Sequence, residues 1–264
     1  MNPLSIPEWA EVYGEDDFGI FAEFTLKAVR FAWRWVPPGK FLMGSPTTEE
    51  GRDDDEGPQH EVTISHGFWM GETPVTQQQW LAIMDQNPSR FKVDQCPVES
   101  VNWHQSLEFA QTLNATIPLL SATLPSEAQW EFACRAGTRG AFHIDGSKCT
   151  SPTGHDPVLA ALGWFDKNSD GKTRPVRQKT PNAWGLYDMH GNVWEWCLDG
   201  KRTYTKTAER DVVGPMVEGA NRVVRGGSWR YSAQDCRAAY RLGYPPGFGW
   251  DFLGLRLSTG QEPV

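Results

Sequence analysis

Apolar and aromatic residues alternate in part with polar ones over residues 17–36, which predicts two β-strands. Pro37, Pro38 and Gly39 follow directly and are expected to end the second strand. The short apolar run at 41–45 predicts a further strand. The first part of the chain is therefore expected to form antiparallel β-structure.

Three helices are predicted from capping residues followed by apolar positions at helical spacing. Thr76 with Gln79, and Ser126 with Gln129, have the spacing of a capping box, and Asn102 is a third N-cap. The apolar positions that follow these caps are Trp80, Ile83 and Met84, then Trp103, Leu107, Ala110 and Leu113, and finally Trp130, Ala133 and Cys134, with Gly137 as a C-terminal stop.

Regular patterns fade after residue 138, where Gly, Pro, Asn and Asp recur every few residues. With 26 Gly, 19 Pro and 13 Trp, the chain is expected to be rich in loops and held together by large aromatic side chains. No internal repeat or low-complexity linker divides it, so a single domain over 1–264 is predicted. The acidic run at 49–56 is interpreted as a solvated surface loop.

Charge and cysteine usage exclude several functions. The net charge of −8 disfavours binding to nucleic acid, which requires clustered Lys and Arg. No apolar run reaches about eighteen residues and no secretory signal is visible, so a cytoplasmic protein without membrane insertion is predicted. Five cysteines at irregular spacing fit reduced thiols better than disulfides.

Five motifs then stand in a characteristic order, and with them the chain resembles the formylglycine-generating enzyme (sulfatase-modifying factor) family from about residue 30 to 258. The resemblance implies an α+β, C-type-lectin-like fold with few regular elements, on which residues 1–29 pack as an N-terminal extension. The motifs are 39–45 (GKFLMGS), 72–76 (ETPVT), 124–133 (LPSEAQWEFA), 184–196 (WGLYDMHGNVWEW) and 225–229 (RGGSW).

The resemblance also locates the two cysteines that the oxidases of this family use with copper. Counted from Ser228, the first position is Tyr231 and the second is Cys236. A phenol with a pKa near 10 cannot replace a thiolate as a Cu(I) ligand, so no copper and no oxidase activity are expected. Cys236 is then more simply a small buried apolar residue. The related iron-dependent sulfoxide synthases are disfavoured because the six histidines are scattered.

The C-terminal stretch 225–257 resembles instead the variable proteins of diversity-generating retroelements, in which adenine positions of Asn codons are altered. Trp250 departs from that pattern, because an Asn codon cannot reach Trp through its adenines. Residues that such changes would produce are Tyr231, Ser232, Asp235, Tyr240, Leu242, Gly243, Tyr244, Phe248 and Phe252, and the other candidate contact residues are Arg230, Gly249, Trp250 and Asp251.

A non-catalytic binding protein is therefore predicted, with residues 230–252 as its contact surface for a protein or another macromolecule. Rigid aromatic residues mixed with Gly and Ser are typical of a binding surface. The alternative is that these aromatic residues fill the core of an irregular domain. Two other functions stay open, an oxidase-like enzyme with altered cysteine chemistry and a fixed accessory protein. A monomer is expected.

The resemblance further implies a structural calcium loop, with side-chain oxygens from Asp188 and Glu195 and backbone carbonyls from Gly191 and Val193. The alternative is a tight turn in which Glu195 binds backbone N–H groups. His190, inside the motif, is expected to hold the loop by hydrogen bonding. Residues 166–171 look like the start of a calcium loop, but position twelve is Arg177 where such a loop needs Glu, so a surface turn is predicted.

Overall fold

A computed structural model describes residues 6–260 of the chain. Over these residues strands outnumber helices, and long loops join them, which confirms the predicted loop-rich α+β class. The helices are α1 (Gln77–Ile83), α2 (Trp103–Thr116), α3 (Glu127–Arg135) and α4 (Pro157–Leu162). The strands are β1 (Val12–Asp16), β2 (Gly19–Leu26), β3 (Val29–Val36), β4 (Gly39–Met43), β5 (His60–Ile64), β6 (Phe68–Gly71), β7 (Trp194–Gly200), β8 (Glu209–Arg210), β9 (Arg222–Arg225), β10 (Arg241–Tyr244), β11 (Leu253–Leu255) and β12 (Ser258–Thr259).

The first three helices begin at the predicted capping residues, Thr76, Asn102 and Ser126. Each cap side chain accepts a hydrogen bond from the backbone N–H three residues later, at 2.9–3.3 Å. In each case a Gln at that third position closes the capping box, so two otherwise unpaired backbone groups are satisfied. At its other end, α3 stops at Ala136 in the left-handed conformation, with Gly137 next.

The strands after residue 138 were not predicted, and neither was α4. Most have two to four residues, too short for alternation to show. The longest, β7, is buried on both faces along nearly its whole length, so apolar and polar residues do not alternate there.

A five-stranded sheet joins the two ends of the domain, with strand order β1-β2-β3-β6-β12. Of the segment predicted as an N-terminal extension, residues 6–29 supply β1 and β2 of this sheet, whereas residues 1–5 lie outside the described residues. Trp9 packs at 5.8 Å between ring centroids against both Trp33 and Trp69. The segment is therefore part of the aromatic core of the sheet.

A four-stranded sheet, of order β10-β9-β7-β11, positions the C-terminal stretch. β10 pairs antiparallel with β9, and β11 pairs parallel with β7. Since β9 lies before the stretch 230–252 and β11 after it, both ends of that stretch are fixed in one sheet. A third sheet, of order β4-β5-β8, completes the domain.

Four buried arginines near or within the C-terminal stretch pair with glutamates from elsewhere in the chain. Arg237 binds Glu56 with both terminal nitrogens, at 2.8 and 2.5 Å, and Arg241 binds Glu127 at 2.7 and 2.6 Å. All four side chains are at most 1% exposed. A bidentate pair fixes the orientation of the guanidinium relative to the carboxylate. The two pairs therefore hold the backbone in place on either side of Tyr240.

The remaining two arginines flank the stretch. Arg225 pairs with Glu131, and Arg256 binds Glu195 at 2.8–3.1 Å. A buried guanidinium without its carboxylate would be an uncompensated charge, so each pair ties the C-terminal segment to the body of the domain.

The acidic run at 49–56 is not fully solvated as predicted. Glu56 is buried against Arg237, and Glu49 also binds Arg237, at 2.6 Å. Burial alone would raise the pKa of Glu56, but the hydrogen bonds and charge of Arg237 bring it below its usual value. Asp53 and Asp54 are exposed, as the prediction required. The run is therefore an anchor with an exposed acidic tip.

We expect Arg237→Met to lower the free energy of unfolding by about 3–5 kcal/mol at pH 7, because Glu56 would be left buried and unpaired. Since the pKa of Glu56 is depressed in the folded protein, this contribution is present above about pH 4.3 and is lost as the pH falls through the folded pKa. Urea unfolding measures both effects.

The control is Lys40→Met, which breaks the exposed Lys40–Glu61 pair of 2.9 Å and should cost about 1 kcal/mol or less. Equal losses in the two variants would contradict the anchoring role of Arg237.

Candidate functional site

The stretch 230–252 presents a partly exposed surface on a buried support. Arg230, Gly249 and Trp250 are exposed. The half-buried members of the predicted contact set are Tyr231, Ser232, Tyr240, Leu242, Gly243, Tyr244 and Phe248. Side chains that are reachable but anchored at their base are typical of a contact surface.

Four rings of this stretch stack in a row. The centroid distances are 4.8 Å from Tyr244 to Phe248, 5.7 Å from Phe248 to Trp250 and 6.1 Å from Trp250 to Phe252. The planes of successive rings differ by 16–29°, and the row folds back on itself, because Tyr244 also lies 6.4 Å from Phe252 with the two planes 52° apart. Trp250 is 50% exposed, and Phe252 at the base is 5% exposed. The row joins solvent to core and holds the outer rings in fixed orientations.

Tyr231 stands beside this row and links it to the core. Its hydroxyl lies 3.2 Å from that of Tyr244, and its ring packs edge-on against Trp194 and Phe252, both at 5.4 Å. Burial, together with the neighbouring Tyr231 hydroxyl, raises the pKa of Tyr244 well above its usual value. The phenol of Tyr244 is therefore available as a neutral hydrogen-bonding group.

A second polar group lies at Ser232, Asp235 and Tyr240. Asp235 accepts hydrogen bonds from the backbone N–H of Ser232 at 2.9 Å and from its hydroxyl at 2.5 Å, which closes a short turn. Burial raises the pKa of Tyr240, and the carboxylates of Asp235 and Asp53 raise it further. The acidic tip of the 49–56 run therefore approaches this side of the surface.

Arg90, from the loop between α1 and α2, is a surface residue that the sequence did not indicate. Its guanidinium binds Asp251 at 2.5 Å, although 161 residues separate the two. Arg230 lies 3.5 Å from the other oxygen of Asp251, over the ring of Phe252. No local pattern could have revealed Arg90, since the contact depends on how distant loops meet.

Four of the predicted contact residues differ from the rest in burial or in the space around them. Asp235, Asp251 and Phe252 are buried and support the surface from below. Gly249 is exposed, yet a Cβ atom there would lie 3.3 Å from the backbone of both Ser100 and Asn102. A side chain at 249 would therefore press on the neighbouring loop.

Leu242 and Gly243 lie on the edge strand β10, opposite Val224 and Val223 of β9. Leu242 is half-buried against the aromatic core, and a Cβ atom on Gly243 would meet the flexible side chain of Lys201 at 3.3 Å. A Cβ atom there would also lie 3.4 Å from the Cβ atom of Asn221, so position 243 is tight as well, although it meets side chains whereas 249 meets backbone.

Cys236 is fully buried in a small apolar cluster with Phe142 and Leu159, as expected of a buried apolar residue. A Cβ atom at Gly227 would overlap its sulfur, and Gly227 has φ +75°, so only glycine suits that position. Burial, with the carboxylates of Asp235 and Asp166 nearby, raises the pKa of the Cys236 thiol well above its usual value. The reactive thiolate is therefore disfavoured.

His190 holds its loop by hydrogen bonds, as predicted. Its Nδ1 lies 2.8 Å from the carbonyl oxygen of Cys236, and its Nε2 accepts the backbone N–H of His143 at 3.1 Å. Burial lowers the pKa of His190 well below its usual value, so the ring is neutral and Nδ1 is the donor.

Of the four predicted calcium ligands, Asp188, Gly191, Val193 and Glu195, the two carboxylates are already engaged within the protein. Both carboxylate oxygens of Glu195 are bound by Arg256, and one also accepts the indole N–H of Trp130 at 2.6 Å. Asp188 accepts from the backbone of Arg177 and from Asn192, at 3.0 and 3.1 Å. An ion at Glu195 would have to displace a buried guanidinium.

Over residues 6–260, no group of three or more His, Cys, Asp or Glu side chains is arranged to hold a metal ion. The alternative, in which Glu195 binds backbone N–H groups, does not describe its partners either, because they are side chains of Arg and Trp. Calcium binding stays a prediction, and the contacts of Glu195 argue against it.

Comparison with known proteins gives a family and a fold. Residues 32–259 match the Sulfatase-modifying factor enzyme 1-like domain. The formylglycine-generating enzyme of Thermomonospora curvata is 35% identical over 275 residues, covering 98% of this chain and 82% of that protein. The solved structure of Treponema denticola variable protein 1 superposes with a TM-score of 0.77 and 30% identity, covering 90% of this chain and 98% of that one.

A third relative is much longer. The serine/threonine-protein kinase pkn1 of Chlamydia caviae is 29% identical over 258 residues, which are 86% of this chain but 38% of that protein. The chain therefore spans less than half the length of this relative. Within residues 6–260, no helix has the length and apolar character needed to cross a membrane.

We expect Trp250→Ala to lower the free energy of unfolding by about 1 kcal/mol or less, since half of that ring is already in solvent. Phe252→Ala should cost about 3–5 kcal/mol, because it leaves a cavity at the base of the ring row. Urea unfolding of the two variants tests this division. Losses of similar size would mean that Trp250 belongs to the core.

Proposed function

We propose that this chain, which belongs to the sulfatase-modifying factor enzyme 1-like family, is a ligand-binding protein without oxidase activity. Its contact surface is the C-terminal stretch 230–252, together with Arg90 from the loop between α1 and α2. The partner is a protein or another macromolecule.

The proposal rests on one observation: within the stretch, the residues that fix the backbone are different from the residues that are exposed. Arg237 and Arg241 are buried in ion pairs, whereas Tyr231, Tyr244 and Trp250 are half-buried or exposed. The residues that fix the backbone are thus separate from those that a partner can reach. Exchange of the second group should alter recognition and leave the fold intact.

The cysteine chemistry supports the absence of oxidase activity. By the family resemblance, Tyr231 stands where the oxidases carry their first cysteine, and it is engaged with Tyr244 and Trp194. The second position, Cys236, is a buried thiol with a raised pKa. Copper in its soft Cu(I) state requires thiolate ligands, and this pair offers a phenol and a disfavoured thiolate.

The likeness to a variable protein supports a finer version of the proposal, in which a retroelement diversifies the surface. The match to Treponema denticola variable protein 1 covers nearly all of both chains. Seven of the nine adenine-accessible positions are half-buried, where a new side chain meets solvent on one side. Arg237 and Arg241, whose side chains are buried in ion pairs, lie outside the adenine-accessible set.

An oxidase with altered cysteine chemistry is the second candidate. It is favoured by the 35% identity to a formylglycine-generating enzyme over nearly the whole chain. Cys236 is also retained. The two functions differ in whether added copper and substrate give turnover.

We expect no oxygen uptake when the protein is mixed with copper and a cysteine-containing peptide, because Tyr231 cannot supply a thiolate. The formylglycine-generating enzyme of Thermomonospora curvata, assayed in parallel, is the positive control. Reproducible turnover that Cys236→Ser abolishes would contradict the proposal and establish the second candidate.

We expect sequencing of the 3′ end of the gene across a growing population to show substitutions at adenine positions of codons 230–252. Codons for Arg237 and Arg241 should be unchanged, since their side chains are buried in ion pairs. An invariant stretch would contradict diversification and leave one fixed binding surface.

A further inference from the structure

A second concave site lies away from the C-terminal stretch. It is a cavity of about 230 Å³ beside the first residues of β3, which extend past the last residue of β6. The beginning of α1 and the loop at residues 176–177 also line it. None of the residues that line it belongs to 230–252. Its chemistry is therefore independent of the proposed contact surface.

Glu72 forms the charged centre of this cavity, and its oxygens are already used. The side chain is almost fully buried and pairs with three guanidinium groups, at 3.3 Å from Arg30, 3.0 Å from Arg34 and 3.2 Å from Arg177. A carboxylate shared by three cations has no capacity left for a ligand.

Other acceptors in the lining are also occupied by the protein. The side-chain oxygen of Gln78 accepts from Gln95 at 2.8 Å, and that of Gln79 accepts from the backbone of Thr76 at 2.9 Å. The backbone oxygen of Arg30 accepts from the side chain of Gln79, also at 2.9 Å. The lining has few free acceptors to offer a bound molecule.

Donors, by contrast, remain. Trp33 lines the cavity and is 2% exposed, and its indole N–H donates to nothing among the described residues. Arg30 and Arg177 each keep a little under half of the side chain exposed while they contact Glu72. Arg30 also binds Glu23 through Nε and one terminal nitrogen, at 2.7 and 2.5 Å, so only part of its guanidinium is free to donate to a ligand. Indole and guanidinium groups can only donate, and a buried N–H without an acceptor is costly.

Arg177 is held in a backbone conformation that places its side chain here. Its φ of +64° is unfavourable for a residue with a Cβ atom. Its backbone N–H is fixed by Asp188 at 3.0 Å, and its guanidinium lies over the ring of Tyr187 at 5.1 Å. A strained residue with an exposed cation beside a cavity is characteristic of a binding site rather than of a simple turn.

We propose that this cavity binds a small organic acid, whose carboxylate lies between Arg30 and Arg177 and accepts the indole N–H of Trp33. The rest of the lining includes the apolar side chains of Phe31, Val75 and Leu257, so the body of the acid is a single ring or a short hydrocarbon chain. A surplus of donors over acceptors selects a ligand that only accepts, which describes a carboxylate.

The test uses acids paired with neutral amides of the same shape. Benzoate, 3-phenylpropionate and hexanoate are compared with benzamide, 3-phenylpropionamide and hexanamide by ligand-observed NMR and calorimetry on the full chain. At least one acid should bind about tenfold or more tightly than its amide, because charge-assisted hydrogen bonds to guanidinium are lost in the amide.

Two variants assign the site. Arg177→Gln should weaken the acid about tenfold, whereas Arg139→Gln, at an exposed position outside this cavity, should leave it unchanged. Trp33→Phe removes the unpartnered N–H but also shrinks a buried ring, so it should weaken binding and lower the melting temperature, and its affinity is measured at a temperature where the variant is fully folded. No binding by any acid, acids no tighter than amides, or wild-type affinity in both Arg177→Gln and Trp33→Phe would each overturn the proposal.

Discussion

The buried pairing of arginine with glutamate is the interaction on which the C-terminal half of the domain depends. Arg225, Arg237, Arg241 and Arg256 each enter the interior and meet carboxylates contributed by distant segments. Such a pair is poor at stabilising a fold compared with apolar packing, but it tolerates no other partner and little displacement. The backbone of a segment with few regular elements is thereby held at four separate points, and the partly exposed residues between them are not needed for these ion pairs.

The parts of the fold that could be predicted are those determined by neighbours in sequence. Thr76, Asn102 and Ser126 mark helix starts because a cap and its partner are three residues apart. Arg237 and Glu56 are 181 residues apart, and no periodicity links them. The family motifs gave the fold class, since they encode the framework, but the burial of Phe252 depends on packing that no motif records.

The candidate surface shows the same division. The composition of the stretch 230–252 predicted a contact surface, because its aromatic residues follow neither the period of a helix nor that of a strand. It could not distinguish Trp250, half in solvent, from Phe252 at the base of the same row of rings. Nor could it include Arg90, which reaches Asp251 from another loop. Position along a chain reveals which residues are near each other locally, whereas exposure is a property of the assembled domain.

The attachment of β9 and β11 to the common strand β7 has a consequence for chain length as well as for side chains. The sheet holds the two ends of the stretch close together. Lengthening the stretch therefore costs mainly the extra entropy that a longer loop loses when its ends are held in place. That cost grows only logarithmically, by about 0.6 kcal/mol for each doubling of length. The turn at 245–249 is closed by a backbone hydrogen bond from Phe248 to Pro245 and is tied to the start of α2 by another from Trp103 to Pro246, so added residues there would have to preserve both contacts. A scaffold of this kind can change the reach and contour of its C-terminal loops by insertion, in addition to changing their chemistry by substitution.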